Sequence, residues 1–283
     1  YGVRTFKKGD ENGDGTQFLE RIVVYSVKLS PDPVNVPFER TATATATIKP
    51  PDIYEQITFS VDDNTLALVE PTKATASPQK LTLTGQSGKH GITKLKAKCK
   101  DIECANVTVN VVKLIRLDVI GAEDQGDDIY AVAKSDGGVV TIKAILDPDV
   151  QIPDSMIQWT GNINPSPDDN RTVTVSKKVS DAFPIGCEVG ASSKSVTIKV
   201  VGVILEPLEA ETEYPTPVTL TARGTPAAPP ATTYSWDIAG SAPNLPQPGG
   251  ATTVKFTDPG KYTATAHYQL GSVVADSEPA SVT

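Results

Sequence analysis

No run of about 18 consecutive apolar residues occurs in the chain, which argues against a helical membrane span. There are only two histidines, His90 and His267, three cysteines and one methionine. His90 sits in the glycine-rich turn Gly88-Lys-His-Gly91 and His267 in a strand-like run, and neither falls in a His-Glu-x-x-His pair of metal ligands. Gly85-Gln-Ser87-Gly88 lacks both the spacing and the strand-to-helix context of a nucleophile elbow. No phosphate loop is present, and nothing places two carboxylates in one cleft. The reading is therefore a protein without a catalytic set. Long apolar stripes with a 3.6-residue period are missing too, and strong helix formers are sparse, so the composition is that of an all-β chain. The chain opens on Tyr1 rather than methionine, as a processed or excised piece would, so the want of an export signal says nothing about export.

Basic clusters of the kind that grip phosphate are scarce. The formal net charge is −8, which disfavours nucleic acid and anionic membrane as partners. Lys94, Lys96, Lys98 and Lys100 stand at alternate positions of one strand and read as a solvated face that discourages edge-to-edge aggregation. Apolar residues make up 39% and charged residues 21%, a mixture that suits several small half-buried sandwiches better than one large core.

What is present is a repeat. Three aromatic-centred strands recur: Ile57-Thr-Phe59-Ser-Val61, Ile157-Gln-Trp159-Thr-Gly161 and Tyr234-Ser-Trp236-Asp-Ile238. Their centres are 100 and then 77 residues apart, the spacing of immunoglobulin-sized units. Alternation with polar neighbours points Phe59, Trp159 and Trp236 inward, as the expected core residues of three modules. A strand precedes each one. In Thr41-Ala-Thr-Ala-Thr-Ala-Thr-Ile48, threonine takes every odd position and small apolar residues the even ones, so a period of two puts threonine on the wet face. Val139-Val-Thr-Ile-Lys-Ala-Ile145 and Val218-Thr-Leu-Thr-Ala222 occupy the same place in the later units. Together they predict strand B facing strand C across a core. Further short strands follow in each unit, with turn residues between them and no crossover helices.

The expected organisation is a polar N-terminal extension over 1–20 and three domains over 21–113, 114–202 and 203–283. Neither junction, Val111-Val-Lys113 to Leu114 nor Val200-Val-Gly-Val-Ile-Leu205, carries a Gly/Ser linker. The fold class predicted is all-β: three tandem immunoglobulin-like β-sandwiches in an elongated, fairly stiff array, on the order of 100 Å long at ~3.3 Å per strand residue.

Three features invite binding chemistry. Asp10, Asn12, Asp14 and Thr16, with Glu20 beyond them, offer side-chain oxygens at alternate positions around glycines, as the start of a calcium loop does. The twelfth position is Arg21, and no helix is expected to flank the loop, so a calcium site and a plain polar turn both stay open. No cofactor other than that calcium is implied. Glu123, Asp124, Asp127 and Asp128 form a second acidic loop, for which a solvated turn around Gly126 is the simpler reading. Cys99 and Cys104 flank a short hairpin and predict a cross-hairpin disulfide, while Cys187 is left over as a buried core thiol. Tyr25, Tyr54, Tyr130, Tyr214 and Tyr268 are candidates for a sugar platform or for packing at strand ends.

The first unit resembles bacterial immunoglobulin-like domains of the group-2 type, through Val27-Lys-Leu-Ser-Pro-Asp-Pro-Val-Asn-Val36, Ile57-Thr-Phe-Ser-Val-Asp-Asp63, Gly91-Ile-Thr-Lys-Leu-Lys-Ala97 and Val107-Thr-Val-Asn-Val111. The third is similar to a polycystic-kidney-disease-type (PKD) domain through Tyr234-Ser-Trp-Asp237 and Asp258-Pro-Gly-Lys-Tyr-Thr-Ala-Thr-Ala266. These resemblances imply a modular extracellular protein and carry no activity. The function expected is a non-catalytic stalk, filament or virion or cell-surface component. Its partners would be a protein or glycan on another surface, or neighbouring subunits. A glycan- or receptor-binding module, or an accessory segment of a larger secreted enzyme, is the alternative.

Overall fold

A computed structural model describes residues 26–283, apart from residues 101, 135, 136, 138, 177–180, 214–215, 226–233, 241–247 and 251–252; for 248–250 it describes the backbone. The candidate calcium loop with Asp10, Asn12, Asp14, Thr16 and Glu20 lies outside the described residues, as do Tyr25 and Tyr214.

Alternation at period two shapes the first sandwich. Thr41–Lys49 buries Ala44, Ala46 and Ile48 while Thr41, Thr43, Thr45 and Thr47 face solvent. Its sheet runs in the order Ser26–Ser30, Thr41–Lys49, Gln79–Gly85, Ala67–Glu70, all antiparallel, with Val27 opposite Ile48 and Ala44 opposite Leu81. The facing sheet contains Ile57–Val61, Gly91–Cys99 and the strand Ile102–Ile120, against which Val34–Pro37 pairs in parallel. In immunoglobulin notation these are strands A, B, E and D against C, F, G and A′, two layers closed over one core. Ile48, Ile57, Phe59, Leu81, Leu83 and Leu95 fill that core, each at most 2% exposed.

The same arrangement returns twice. Val139–Asp147 pairs with Thr172–Ser176 in the B and E positions, and Ile157–Thr160, Asp181–Val189 and Ser192–Glu206 take the C, F and G positions, with Ile129–Ala133 parallel to the last. Farther on, Val218–Thr225 and Thr253–Phe256 form the B and E pair. Ser235–Gly240, Tyr262–Leu270 and Ala280–Val282 take C, F and G, and Glu209–Ala210 lies parallel to Ala280–Val282. The chain is thus all-β, with immunoglobulin-like sandwiches in tandem. A short 3-10 turn following proline enters strand C in the first two modules: Pro51–Gln56 buries Ile53, and Asp154–Met156 buries Met156.

Two strands are long, and each serves two modules. Ile102–Ile120 pairs with Gly91–Cys99 and also belongs next to Val139–Asp147 in sheet order. Ser192–Glu206 pairs through Thr197–Val201 with Ile129–Ala133 and then, from Gly202 to Glu206, with Val218–Thr225. The described residues fall into two compact units. One contains the residues up to Ile115 together with Leu146–Ile157 and Glu188–Ser193; the other contains Arg116–Ile145, Gln158–Cys187 and Lys194–Thr283.

Candidate functional site

In the first unit, specific contacts from several strands and turns converge on Phe38. Val34–Pro37 ends on a proline, and Phe38 continues the parallel pairing by donating its N–H to the Val112 carbonyl at 2.9 Å. Its ring is buried, with His90 edge-on at 6.4 Å between centroids and the Lys113 ammonium 4.6 Å above the ring face, a geometry in which the cation meets the negative face of the ring. His90 Nε2 lies 3.0 Å from Asp147 Oδ2. The turn at Gly190 comes against the Phe38 backbone, and Ala191 donates its N–H to the Phe38 carbonyl at 2.9 Å. Gly190 holds φ +64°, and a Cβ there would meet the Phe38 carbonyl oxygen and lie 2.7 Å from the Phe38 nitrogen. Only glycine fits both the space and the left-handed backbone.

Polar groups close the same region. The Ser192 hydroxyl donates to the Val189 carbonyl at 2.9 Å and accepts the Leu114 N–H at 2.9 Å. Asn35 donates to the Gln151 carbonyl at 3.1 Å and accepts from Asn110, which is 2% exposed. Glu39, at φ +54°, accepts from Gly88 N–H at 2.8 Å and from the Ser87 hydroxyl at 2.9 Å. Those two bonds, the Gly88 one foremost, hold its carboxyl below the usual carboxylate range. Phe38, Gly190 and the Asn35–Asn110 pair were not among the residues singled out from sequence. A signal existed only in the pairing of asparagines on two strands that would otherwise be apolar inside.

In the second unit the acidic loop is a built turn. Asp127 and Asp128 both take positive φ, Asp124 accepts the Gly126 N–H at 2.8 Å, and Ile129 returns its N–H to the Gly126 carbonyl at 2.9 Å. Glu123 leaves that turn and accepts the Ser272 N–H through both carboxylate oxygens, at 2.9 and 2.7 Å. Hydrogen bonding from Ser272 lowers its pKa. Among the described residues no group of three or more His, Cys, Asp or Glu side chains is arranged to hold a metal ion.

The remaining sequence-predicted residues lie among the described ones. Phe59 is a core residue at 2% exposed. Trp159 and Trp236, expected to plug their modules in the same way, are half-buried instead. The indole of Trp159 is drawn to the rim because its N–H donates to the Asn170 carbonyl at 3.0 Å. Smaller residues take the central role: Ile142, Ile185 and Ile198 in the middle module, and Leu220, Val254, Tyr262 and Ala266 in the third, where Trp236 packs against the cluster from its edge.

The expected Cys99–Cys104 disulfide is not formed; both are free thiols. Cys99 lies opposite Ile102, not Cys104, and a bulge between Ala97 and Lys98 leaves Cys104 as the extra residue. Its Sγ donates to the Ala97 carbonyl at 3.2 Å, and burial, with the nearby Cys99 second, raises its pKa. Cys187 is buried, at 3% exposed. In the lysine row, Lys96 bridges Asp62 at 2.8 Å and Glu103 at 3.2 Å, while Lys94 and Lys100 are exposed. Tyr54 packs against the first core and Tyr268 is 4% exposed, so these two are packing residues, not a sugar platform.

His267 is held by two carboxylates on the outer face of the third module. Its Nδ1 is 2.7 Å from Asp276, its direct cross-strand partner, and its Nε2 is 3.2 Å from Asp237. Hydrogen bonding to Asp276 raises its pKa, with the charge of Asp237 adding to the effect. A cavity of about 110 Å³ lies at one end of this module, lined by residues that include Thr212, Thr216, Asp258 and Tyr262. That is small beside the ~300–1,000 Å³ of ordinary small-molecule sites.

No protein-family model matches the sequence, and no curated protein matches it. Among solved structures the chain is similar to an Escherichia coli adhesin, FdeC, at 12% identity over 92% of this chain and 96% of that one, with a TM-score of 0.30. It is also similar to domains 5–6 of the S-layer protein SbsC, at 14% identity over 91% and 96%, TM-score 0.27. A third similarity is to the four N-terminal immunoglobulin domains of Dscam1 isoform 8.4, at 14% identity over 92% and 73%, TM-score 0.25. The immunoglobulin-like assignment rests on the strand orders given above. No helix among the described residues is long and apolar enough to cross a membrane.

Proposed function

We propose that this chain is a non-catalytic surface or adhesive segment of an extracellular bacterial or phage protein, whose work is to hold sandwich modules in fixed succession. The observation that carries the reading is the strand Ser192–Glu206. It leaves the pairing with Ile129–Ala133 at Val201 and enters the pairing with Val218–Thr225 at Gly202 without an intervening loop. A catalytic or ligand-gating chain gains from mobile connections; a spacer gains from having none. The contacts of Phe38 with Gly190 and Ala191, and of Glu123 with Ser272, support the same reading, because each ties a turn to a distant strand by backbone-specific bonds. Within it, the first module is a group-2-type bacterial immunoglobulin-like domain and the third a PKD-like one, and the partner is a protein or glycan on another surface or a neighbouring subunit.

An antibody raised against the purified chain should label intact, unpermeabilised cells or virions of the source. Labelling that appears only after permeabilisation would overturn the assignment. A glycan array and a pull-down with host-surface proteins then separate an adhesive segment, which binds, from a pure spacer, which does not.

A further inference from the structure

Charge is unevenly placed along the chain. Residues 26–113 hold eleven Lys or Arg against nine Asp or Glu, a balance of +2, whereas residues 114–283 hold eleven against twenty-one, a balance of −10. The cations of the first stretch gather on the outer face of one sheet. In Gly91–Cys99 the alternate residues Leu95 and Ala97 are buried, so Lys94, Lys96 and Lys98 stand on the opposite face. Thr58 and Ser60 lie across from Lys98 and Lys96 on one neighbouring strand, and Thr108 and Asn106 across from Lys94 and Lys96 on the other. Lys73 pairs with Thr58 at the edge, and Lys100 follows at the hairpin turn. Lys96 is already held by Asp62 and Glu103. Among the described residues Lys73, Lys94, Lys98 and Lys100 have no ion pair; Lys98 is half-buried and the other three are exposed.

A row of the opposite charge lies in the third module. Glu209–Ala210 is the outermost strand of its sheet, and the chain keeps to the same edge beyond it, where Thr212 donates its N–H to the Thr283 carbonyl at 3.3 Å. Glu209, Glu211 and Glu213 therefore recur at every second residue, all exposed and without an ion pair among the described residues. In extended backbone that period is about 7 Å, the same as between Lys94, Lys96 and Lys98. Two basic faces repel each other, and so do two acidic rows, so only unlike rows attract. Each copy then offers one half of the contact and accepts the other, which makes the contact head-to-tail and able to propagate. Single exposed ion pairs contribute little and are screened by salt, so the contact needs several aligned pairs and fades with ionic strength.

We propose that the lysine face of the first module is a docking surface for the Glu209, Glu211 and Glu213 row of a second copy, joining chains head to tail. This deepens the surface-segment reading and rests on it for its biological meaning, with a neighbouring subunit as the partner. The two fail separately, because surface labelling tests location and sedimentation tests the contact.

The test is analytical ultracentrifugation of the whole chain over a series of concentrations. At about 0.01 M salt, where the screening length is ~30 Å, the wild type should sediment faster as concentration rises; at about 1 M, where it is ~3 Å, the chain should be monomeric. A variant with Lys94→Glu, Lys98→Glu and Lys100→Glu should stay monomeric at low salt, and so should one with Glu209→Lys, Glu211→Lys and Glu213→Lys. Mixed in equal amounts the two should associate again, because each supplies the charge the other has lost. If a reversal variant does not fold, as judged by circular dichroism, Lys94→Gln with Lys98→Gln, or Glu209→Gln with Glu211→Gln, should still abolish association. A wild type that stays monomeric at low salt would overturn the proposal, as would reversal variants that associate alone or fail to associate when mixed. A monomer that instead holds sulfated or uronate glycans on an array, and loses them with the lysine reversals, would overturn it in favour of an acidic glycan.

Discussion

Gly190 shows how much one residue can carry. Its positive φ and its closeness to the Phe38 backbone leave no room for a Cβ. Gly190→Ala should cost about 1–3 kcal/mol through backbone strain and displacement of Phe38, and chemical denaturation of the variant should show the loss in the first unit. Trp159 is the contrasting case. Most of its contribution was expected from central burial, yet the indole sits half-buried and spends its N–H on Asn170. Trp159→Phe keeps an aromatic ring and loses that bond, so a loss of only about 1 kcal/mol is expected in thermal unfolding. Ile142→Ala, in the fully buried interior of the same module, should cost about 2–5 kcal/mol. The reverse ranking would restore Trp159 as the central plug.

At the scale of the element, paired strands bring charges together that lie far apart in sequence. Tyr262–Leu270 places His267 between Asp276 on one neighbouring strand and Asp237 on the other. The histidine pKa is raised in the fold. Its stabilisation is therefore complete below the ordinary histidine value of about 6.5 and is lost as pH rises through the raised value. Melting of the third module should fall between mildly acidic and mildly alkaline pH, and His267→Gln should flatten that dependence. Glu123 works in the opposite sense. Its carboxyl is lowered by Ser272, so its contribution is present at neutral pH and is lost only as pH falls through the lowered value. The hairpin Gly91–Cys99 to Ile102–Ile120 teaches a further lesson about elements. Cys99 and Cys104 would face each other only across a four-residue turn, but the hairpin turns more tightly and pairs Cys99 with Ile102, which leaves Cys104 two residues beyond Cys99's partner.

At the scale of the whole molecule, the modules are chained by strands that serve two sandwiches each. The first unit takes in Leu146–Ile157 and Glu188–Ser193, so a compact unit does not coincide with one stretch of sequence. Denaturant unfolding of the full chain should therefore proceed in more than one step, with Gly190→Ala moving the step of the first unit and His267→Gln that of the second. A single cooperative transition, unshifted in shape by either change, would contradict the division.

The sequence alone determined the class of fold and the place of strands B and C in every module. Alternation of Thr with Ala in Thr41–Lys49 and of Thr or Ser with aromatics in Ile57–Val61 is a local property, fixed by the two-residue period of a strand. Short strands without such a pattern escaped it: Ala67–Glu70, Ile129–Ala133 and Ala280–Val282 are defined by what they pair with, not by their own residues. Which aromatic reaches the centre, whether two thiols meet and which turn closes on Phe38 were decided by tertiary structure alone. Each depends on register and on approach between residues up to about 150 positions apart, such as Glu123 and Ser272, and no local periodicity encodes such distances.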